Sequence, residues 1–252
     1  MSFIKVIKND RVATLTISRP DALNALNAEV LLDLQKAILE LETVHVVVLT
    51  GEGVKSFVAG ADIKKMSEMS PLQARAFAEL GQGVIQLLEQ SPFITIAAVN
   101  GFALGGGLEL AMACDLIYAS KNARLGAPET NLGIIPGFGG TVNLVTRAGF
   151  HRAMDLILTG RSVTADEALQ MGLVLEVLES EGFLAKIEEK AQALAHKGIH
   201  SLLAAKRLVR GAAQWDKERA LLVERESFAT LFATGEPKEG MTAFLEKRAA
   251  KF

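Results

Sequence analysis

Apolar and polar positions alternate from Val12 to Ile17, which predicts a strand that closes at Arg19-Pro20. The apolar positions Val30, Leu31, Leu34, Ile38 and Leu41 follow a helical period, and Asn27 stands where an N-cap belongs. The β-branched run Val44 to Thr50, ending in Gly51, predicts a strand covered on both faces. Ser70-Pro71 starts a helix, with proline at the first helical position, that runs to Glu89 before Ser91-Pro92. Ile94 to Val99 and Asp115 to Ala119 read as further strands. Strands separated by helices imply crossover connections and a largely parallel sheet.

After about Thr141 strand signals thin out. Thr164-Ala165-Asp166-Glu167 has the form of a capping box, and Gly172 stands at a helix C-cap position. Leu173 to Leu178 reads as a short extended piece, and Phe183 to Ala195, Ser201 to Arg210, Trp215 to Leu231 and Glu239 to Lys247 read as helices. The pattern predicts an α/β core over residues 1–195 and a helical C-terminal region over 196–252, with no internal repeat and no long polar linker.

The 252 residues suffice for one sizeable core, and half of them are apolar, which excludes a disordered or fibrous chain. With 27 basic and 29 acidic side chains the net charge is −2, a poor basis for binding a nucleic-acid backbone. The stretch Ile94 to Cys114 is apolar enough to suggest a membrane span, but it contains Asn100-Gly101, a turn signal, and Glu109, which is costly in a bilayer. A buried strand, a turn and a short helix are expected there instead, with no membrane insertion. Met1 to Lys5 does not read as a secretory signal, and the single cysteine, Cys114, fits a reducing compartment, so a cytoplasmic location is expected. Cys114 reads as a small buried residue.

Several chemistries have no motif here. There is no Gly-x-Ser-x-Gly elbow and no Walker lysine, and His45, His151, His196 and His200 lack metal-ligand spacing. Two glycine-rich segments stand out: Phe57-Val58-Ala59-Gly60-Ala61-Asp62-Ile63-Lys64, read as a loop at the carboxyl end of a strand, and Gly105-Gly106-Gly107-Leu108-Glu109, read as a helix opening. Small residues admit a ligand close to the backbone, and two amides converging from such segments would make an oxyanion hole. Glu109 lies among apolar residues, where an ionised carboxylate needs a partner or takes up a proton. Glu129 follows twenty residues later, ahead of the glycine loop Ile135 to Gly140. A helix, a strand and a loop can bring both carboxyls into one cleft, and paired carboxyls push their titrations apart to give an acid and a base. A salt bridge or a helix cap is the competing use for either; the apolar flanks argue against it for Glu109, while Glu129 alone is open to both.

At these residues the sequence resembles the crotonase superfamily and, within it, the enoyl-CoA hydratases. The resemblance runs from Arg19-Pro20-Asp21-Ala22-Leu23-Asn24-Ala25-Leu26 to Lys238 to Phe244, and rests on Ala59 to Lys64, Ala97 to Gly101, Gly105 to Ala111, Pro128-Glu129 and Pro136 to Thr141. It implies a fold of repeated ββα units with C-terminal helices used in trimerisation, in trimers or hexamers. It implies an acyl-CoA thioester substrate and no metal or redox cofactor. It places the oxyanion amides on Ala61 and Gly106, the two catalytic glutamates on Glu109 and Glu129, and a water-holding amide on Gly137. Substrate contacts are implied at Ala22, Leu23, Ala59, Ala61, Asp62, Ile63, Lys64, Met66, Gly106 and Gly137, with Met66 lining the acyl pocket. Asp21 departs from relatives that carry a basic residue in this turn. The implied reaction is syn addition of water to a 2-trans-enoyl-CoA, as used in fatty-acid oxidation and other lipid metabolism. Δ3-Δ2 isomerisation is the alternative within the family, and an RNA-binding scaffold is the alternative outside it.

Overall fold

The computed structural model describes residues 2–252. A hairpin, β1 (Ile4–Asn9) and β2 (Val12–Ile17), opens the chain and is the antiparallel edge of a six-stranded sheet in the order β1-β2-β3-β5-β7-β10. The other strands, β3 (Val46–Gly51), β5 (Ile94–Val99), β7 (Leu116–Ser120) and β10 (Glu176–Leu178), pair in parallel. A second sheet holds the short strands β4 (Ser56–Val58), β6 (Phe102–Leu104), β8 (Arg124–Gly126) and β9 (Ser162–Thr164).

The two sheets are built by one repeated unit. Each of β3, β5 and β7 is followed by a short strand in the second sheet, β4, β6 or β8, and then by helix. The helices are α2 (Ile63–Met66) and α3 (Pro71–Glu89) after β4, α4 (Gly106–Ala113) after β6, and a 3₁₀ turn (Pro128–Leu132) with α5 (Gly140–Ala148) and α6 (Phe150–Thr159) after β8. Asn100 ties the turn between a long strand and its short partner: its Nδ2 donates to Gly51 O at 2.8 Å and Gly53 O at 2.7 Å. Successive units stack closely; a Cβ on Gly107 would overlap the carbonyl oxygen of Val58.

Every residue of β3 is buried. Val47 and Leu49 face the main core with α1 (Ala28–Leu39), whereas Val46 and Val48 face a second core closed by Phe183, Ile187, Ala191 and Ala195 of α8 (Phe183–Ala195). This is the two-sided burial that an unbroken apolar run requires. Asn27 caps α1 by accepting from Val30 N at 2.8 Å, and Ser70 with Gln73 completes a reciprocal capping box on α3.

Several expectations need correction. Phe57 and Val58 belong to β4 and Ile63 and Lys64 to α2, so the segment read as one loop is a strand, a turn and a helical turn. Strand β3 starts at Val46 rather than Val44, and α1 ends at Leu39, leaving Leu41 packed against the core from outside the helix. At α7 (Ala165–Met171) only half the capping box forms: Thr164 accepts from Glu167 N, while the Glu167 carboxylate pairs with Arg161 at 2.7 Å. Gly172 closes α7 in the left-handed conformation, at φ 80°.

Beyond α8 follow α9 (Ile199–Ala212), α10 (Lys217–Leu231) and α11 (Glu236–Leu245). Helix α9 is fastened to the core by partly buried cations. Lys206 Nζ donates to Phe93 O at 2.8 Å and pairs with Asp115 at 3.0 Å, and Arg210 meets the same carboxylate at 2.8 Å. Among the described residues no helix is long and apolar enough to cross a membrane.

Candidate active site

The first wall is the segment around Ala61. Leu26 bridges Ala61 in parallel register: Leu26 N donates to Gly60 O, and Asp62 N to Leu26 O, both at 2.8 Å. In such a bridge the intervening residue, Ala61, turns its own N–H to the opposite side. Asp62 fixes the segment from below, accepting from Arg19 Nη2 at 2.8 Å and from Lys65 N at 3.2 Å as the N-cap of α2. The Arg19 guanidinium holds the Asp62 carboxyl below the usual range. Leu23 and Asn24 both adopt positive φ, 50° and 59°, an uncommon state for such side chains. The turn is held there by Asn24 Nδ2 to Ser56 O at 2.9 Å and by Ala59 N to Leu23 O at 3.1 Å. Ala22, Leu23, Ala59, Ala61 and Asp62 therefore form one cross-linked unit. Ile63 and Lys64 extend it into solvent on α2, and Met66, at the end of α2, turns into a cavity.

The second wall is the amino end of α4. Gly105 N donates to Gly126 O at 2.8 Å, and Gly105 takes φ 50°, ψ −121°, a backbone state that only glycine reaches easily. Gly106 is the first residue of the helix, so its N–H has no partner within α4. A Cβ on Gly105 would stand 2.7 Å from Glu129 Oε1, so the same glycine shapes the turn and makes room for the carboxyl.

Glu109 is 3% exposed and Glu129 8%. Glu109 Oε1 accepts from Phe138 N at 2.8 Å and from Gly140 N at 2.6 Å. Gly140 opens α5, so Glu109 does cap a helix, but both bonds fall on one oxygen and leave Oε2 for another partner. Glu129 sits on the 3₁₀ turn with its Oε2 buried and unpartnered. Burial is the largest influence on Glu109 and pushes its pKa to about 7; the charge of Glu129 raises it further, and the amides of Gly140 and Phe138 oppose both. Burial raises Glu129 too. Two amides from the start of α5 oppose the effect of burial on Glu109, whereas on Glu129 only its own backbone amide does so.

Phe138 joins the two walls. Its ring contacts Gly106 and meets Phe77 edge-on at 5.3 Å, and Gly81 of α3 gives it room, since a Cβ there would overlap the ring. A cavity of about 150 Å³ opens beside this pair, lined by Leu26, Asp62, Met66, Met69 and Phe77 among others. Gly137, in the same loop as Phe138, directs its carbonyl to Gln82 Nε2 at 2.9 Å. Cys114 is buried, and burial pushes its thiol up to about 12, which makes it inert.

Of the sequence-derived candidates, Ala22, Leu23, Ala59, Ala61, Asp62, Ile63, Lys64 and Met66 lie on the first wall and its α2 extension, Gly106 and Glu109 on α4, Glu129 on the 3₁₀ turn and Gly137 on the Phe138 loop. Sequence reasoning noted Gly105, Phe138 and Gly140 only as members of glycine-rich segments and Arg19 only as part of a strand-closing pair, with no role of their own. Gly81 carried a readable signal, because glycine inside a helix costs about 1 kcal/mol and needs a reason.

Stacked ββα units with a buried carboxyl pair at a glycine-led helix define a protein of crotonase-like architecture. The sequence profile of the enoyl-CoA hydratase/isomerase family matches residues 7–252, and the chain belongs to that family. It is 45% identical over 248 residues to a crotonyl-CoA hydratase of Syntrophomonas wolfei, covering 97% of this chain and 95% of that one. It is 46% identical over 244 residues to a short-chain-enoyl-CoA hydratase of Clostridium acetobutylicum, covering 96% and 94%. The crystal structure of an enoyl-CoA hydratase from Bacillus anthracis superposes with a TM-score of 0.96 at 36% identity, covering 100% of this chain and 99% of that one.

Proposed function

We propose that the protein is a hydro-lyase, an enoyl-CoA hydratase that reversibly adds water to a 2-trans-enoyl-CoA to give the (3S)-3-hydroxyacyl-CoA. The observation that carries this reading is the buried carboxyl pair, Glu109 held by two amides through one oxygen and Glu129 with an unpartnered one. The thioester oxygen lies between the N–H groups of Ala61 and Gly106. Their pull draws electrons from the conjugated double bond, so C3 becomes electrophilic and charge gathers on oxygen. A water sits between Glu109 Oε2 and Glu129, with the Gly137 amide as an added donor. Glu109 takes a proton from that water as its oxygen bonds to C3, and Glu129 gives its proton to C2. One proton leaves and one arrives, and the second carboxyl is reset by the proton the first has gained. The thioester and the two amides carry the developing charge, so the addition calls on no metal or redox cofactor.

The names of the relatives and the cavity together support a short acyl tail. The cavity near 150 Å³ that Met66, Met69 and Phe77 help to line has room for a small apolar group. CoA itself passes along Ala22, Leu23, Ala59 and the α2 segment, where Lys64 is exposed. The direct test is the ultraviolet absorbance of crotonyl-CoA mixed with purified protein, extended over a series of chain lengths. Bleaching that weakens with long tails supports the reading, and an unchanged band rejects it. Isomerisation of a 3-enoyl-CoA needs only one carboxyl, so it is expected as a side activity slower than hydration.

A further inference from the structure

Helix α4 carries both the Gly106 amide and Glu109, yet it is only eight residues long and wholly buried. Propensity contributes little to so short a helix, since two glycines open it and isolated helices of this length do not persist. Its placement must come from outside. At its amino half, Glu109 is gripped by the amides of Phe138 and Gly140, at the start of α5. At its carboxyl end, Arg147 Nη2 donates to Met112 O at 2.5 Å and to Cys114 O at 2.6 Å.

Gly140 and Arg147 are seven residues apart on α5 and therefore lie on one face, two turns along. Helix α5 thus holds α4 at two points along its length, a carboxylate at one and terminal carbonyls at the other. Arg147 is suited to this, since a fixed cation is favoured at a helix carboxyl terminus and its Nη2 alone serves two carbonyls at once. Arg210 of α9 takes the carbonyl between them, Ala113 O, at 2.7 Å, while its guanidinium is committed to Asp115. The two arginines together satisfy three successive carbonyls where α4 ends.

We infer that Arg147 is a positioning residue for the reaction. Through the carbonyls of Met112 and Cys114 it fixes the axial position of α4, and so the reach of the Gly106 amide and of Glu109 toward the thioester. The inference rests on the oxyanion and base roles proposed above. Arg147 is remote from the substrate, so its loss acts on the turnover step and leaves binding in place.

The test compares the wild-type enzyme with Arg147→Met and Arg147→Lys in two readouts. One is the split of kcat and KM for crotonyl-CoA. The other is the infrared carbonyl band of bound butyryl-CoA carrying ¹³C at the thioester carbon, which an oxyanion hole moves to lower frequency and which cannot be hydrated. In Arg147→Met, kcat is expected to fall about tenfold or more with KM within about twofold, as displaced catalytic groups require, and the band to return toward its position in solution. Arg147→Lys keeps a charged donor nitrogen on a shorter stem, and its kcat and band are expected nearer the wild type than those of Arg147→Met. If Arg147→Met fails to fold, Arg147→Gln, which carries no charge, takes its place. A wild-type kcat and band in a folded Arg147→Met or Arg147→Gln would overturn the inference. An unshifted band in the wild type would overturn the oxyanion reading itself, and this inference with it.

Discussion

In the proposed reaction Glu109 and Glu129 divide one task because their surroundings differ. Each is buried, which favours the protonated form, but only Glu109 receives two backbone amides and the amino end of a helix. Replacing either by glutamine is expected to lower kcat by roughly 10²–10⁴-fold, the usual worth of an acid or base, with CoA-thioester binding retained in calorimetry. The base must be ionised, so kcat/KM should rise with pH through an apparent pKa of about 7. The same shift bears on stability with the opposite sense. The native Glu109 holds its proton up to about pH 7, whereas an unfolded glutamate releases it near 4.5. The folded state thus binds the extra proton between these values, and stability falls as pH rises across that window. Glu109→Gln keeps an acceptor for both amides without the charge. It should gain up to about 3 kcal/mol over the wild type at pH 8 and little at pH 4.5, read from denaturant unfolding. Both glutamates are legible in the sequence, Glu109 because a carboxylate inside Leu108 to Cys114 needs explaining, Glu129 through the glycine loop after it. Their unequal solvation is not, since it depends on amides from residues 29 and 31 positions further along the chain.

At the scale of elements, two glycines decide whether the walls meet. Gly81→Ala should raise helix propensity by about 1 kcal/mol, but its Cβ meets the Phe138 ring, and overpacking costs about 1–3 kcal/mol. The clash wins: the variant is expected to lose stability and turnover together, because Phe138 also donates to Glu109. A more stable, fully active Gly81→Ala enzyme would contradict this packing. Gly105→Ala combines a backbone strain of about 1–3 kcal/mol with a side chain pressed against Glu129, so hydration should fail even where the fold survives by circular dichroism. The long elements are legible in the sequence because each has its own period and stops; Pro71–Glu89, Ile94–Val99 and Phe183–Ala195 lie where the pattern puts them. The second sheet is not legible. Its strands have three residues each, too few for any period, and they exist because stacked units offer them partners.

Over the whole molecule, the chain covers its main sheet on both faces but leaves apolar side chains of its last helices open. Phe228 on α10 and Phe232 just beyond it meet edge-on, and they are exposed, as are Phe244 and Leu245 on α11, Phe244 by 83%. Exposed apolar patches mark interaction surfaces. The expected covering is a second and third copy of this chain. Sedimentation should give a trimer or a hexamer, and Phe244→Glu combined with Leu245→Glu should shift it to monomer. Composition and length already mark a globular chain with a sizeable core, and the element pattern an α/β one, but the arrangement of its copies depends on a surface that no single helix period discloses. In the proposed site two carboxyls on one side of the substrate share one water beneath two amides. Such a site must add both parts of water to the same face. Proton NMR of the product formed from crotonyl-CoA in deuterium oxide tests this. The expected product is (3S)-3-hydroxybutyryl-CoA with a single deuterium at C2, syn to the hydroxyl. Anti addition, the (3R) product, or deuterium scrambled over both C2 positions at first turnover would contradict it.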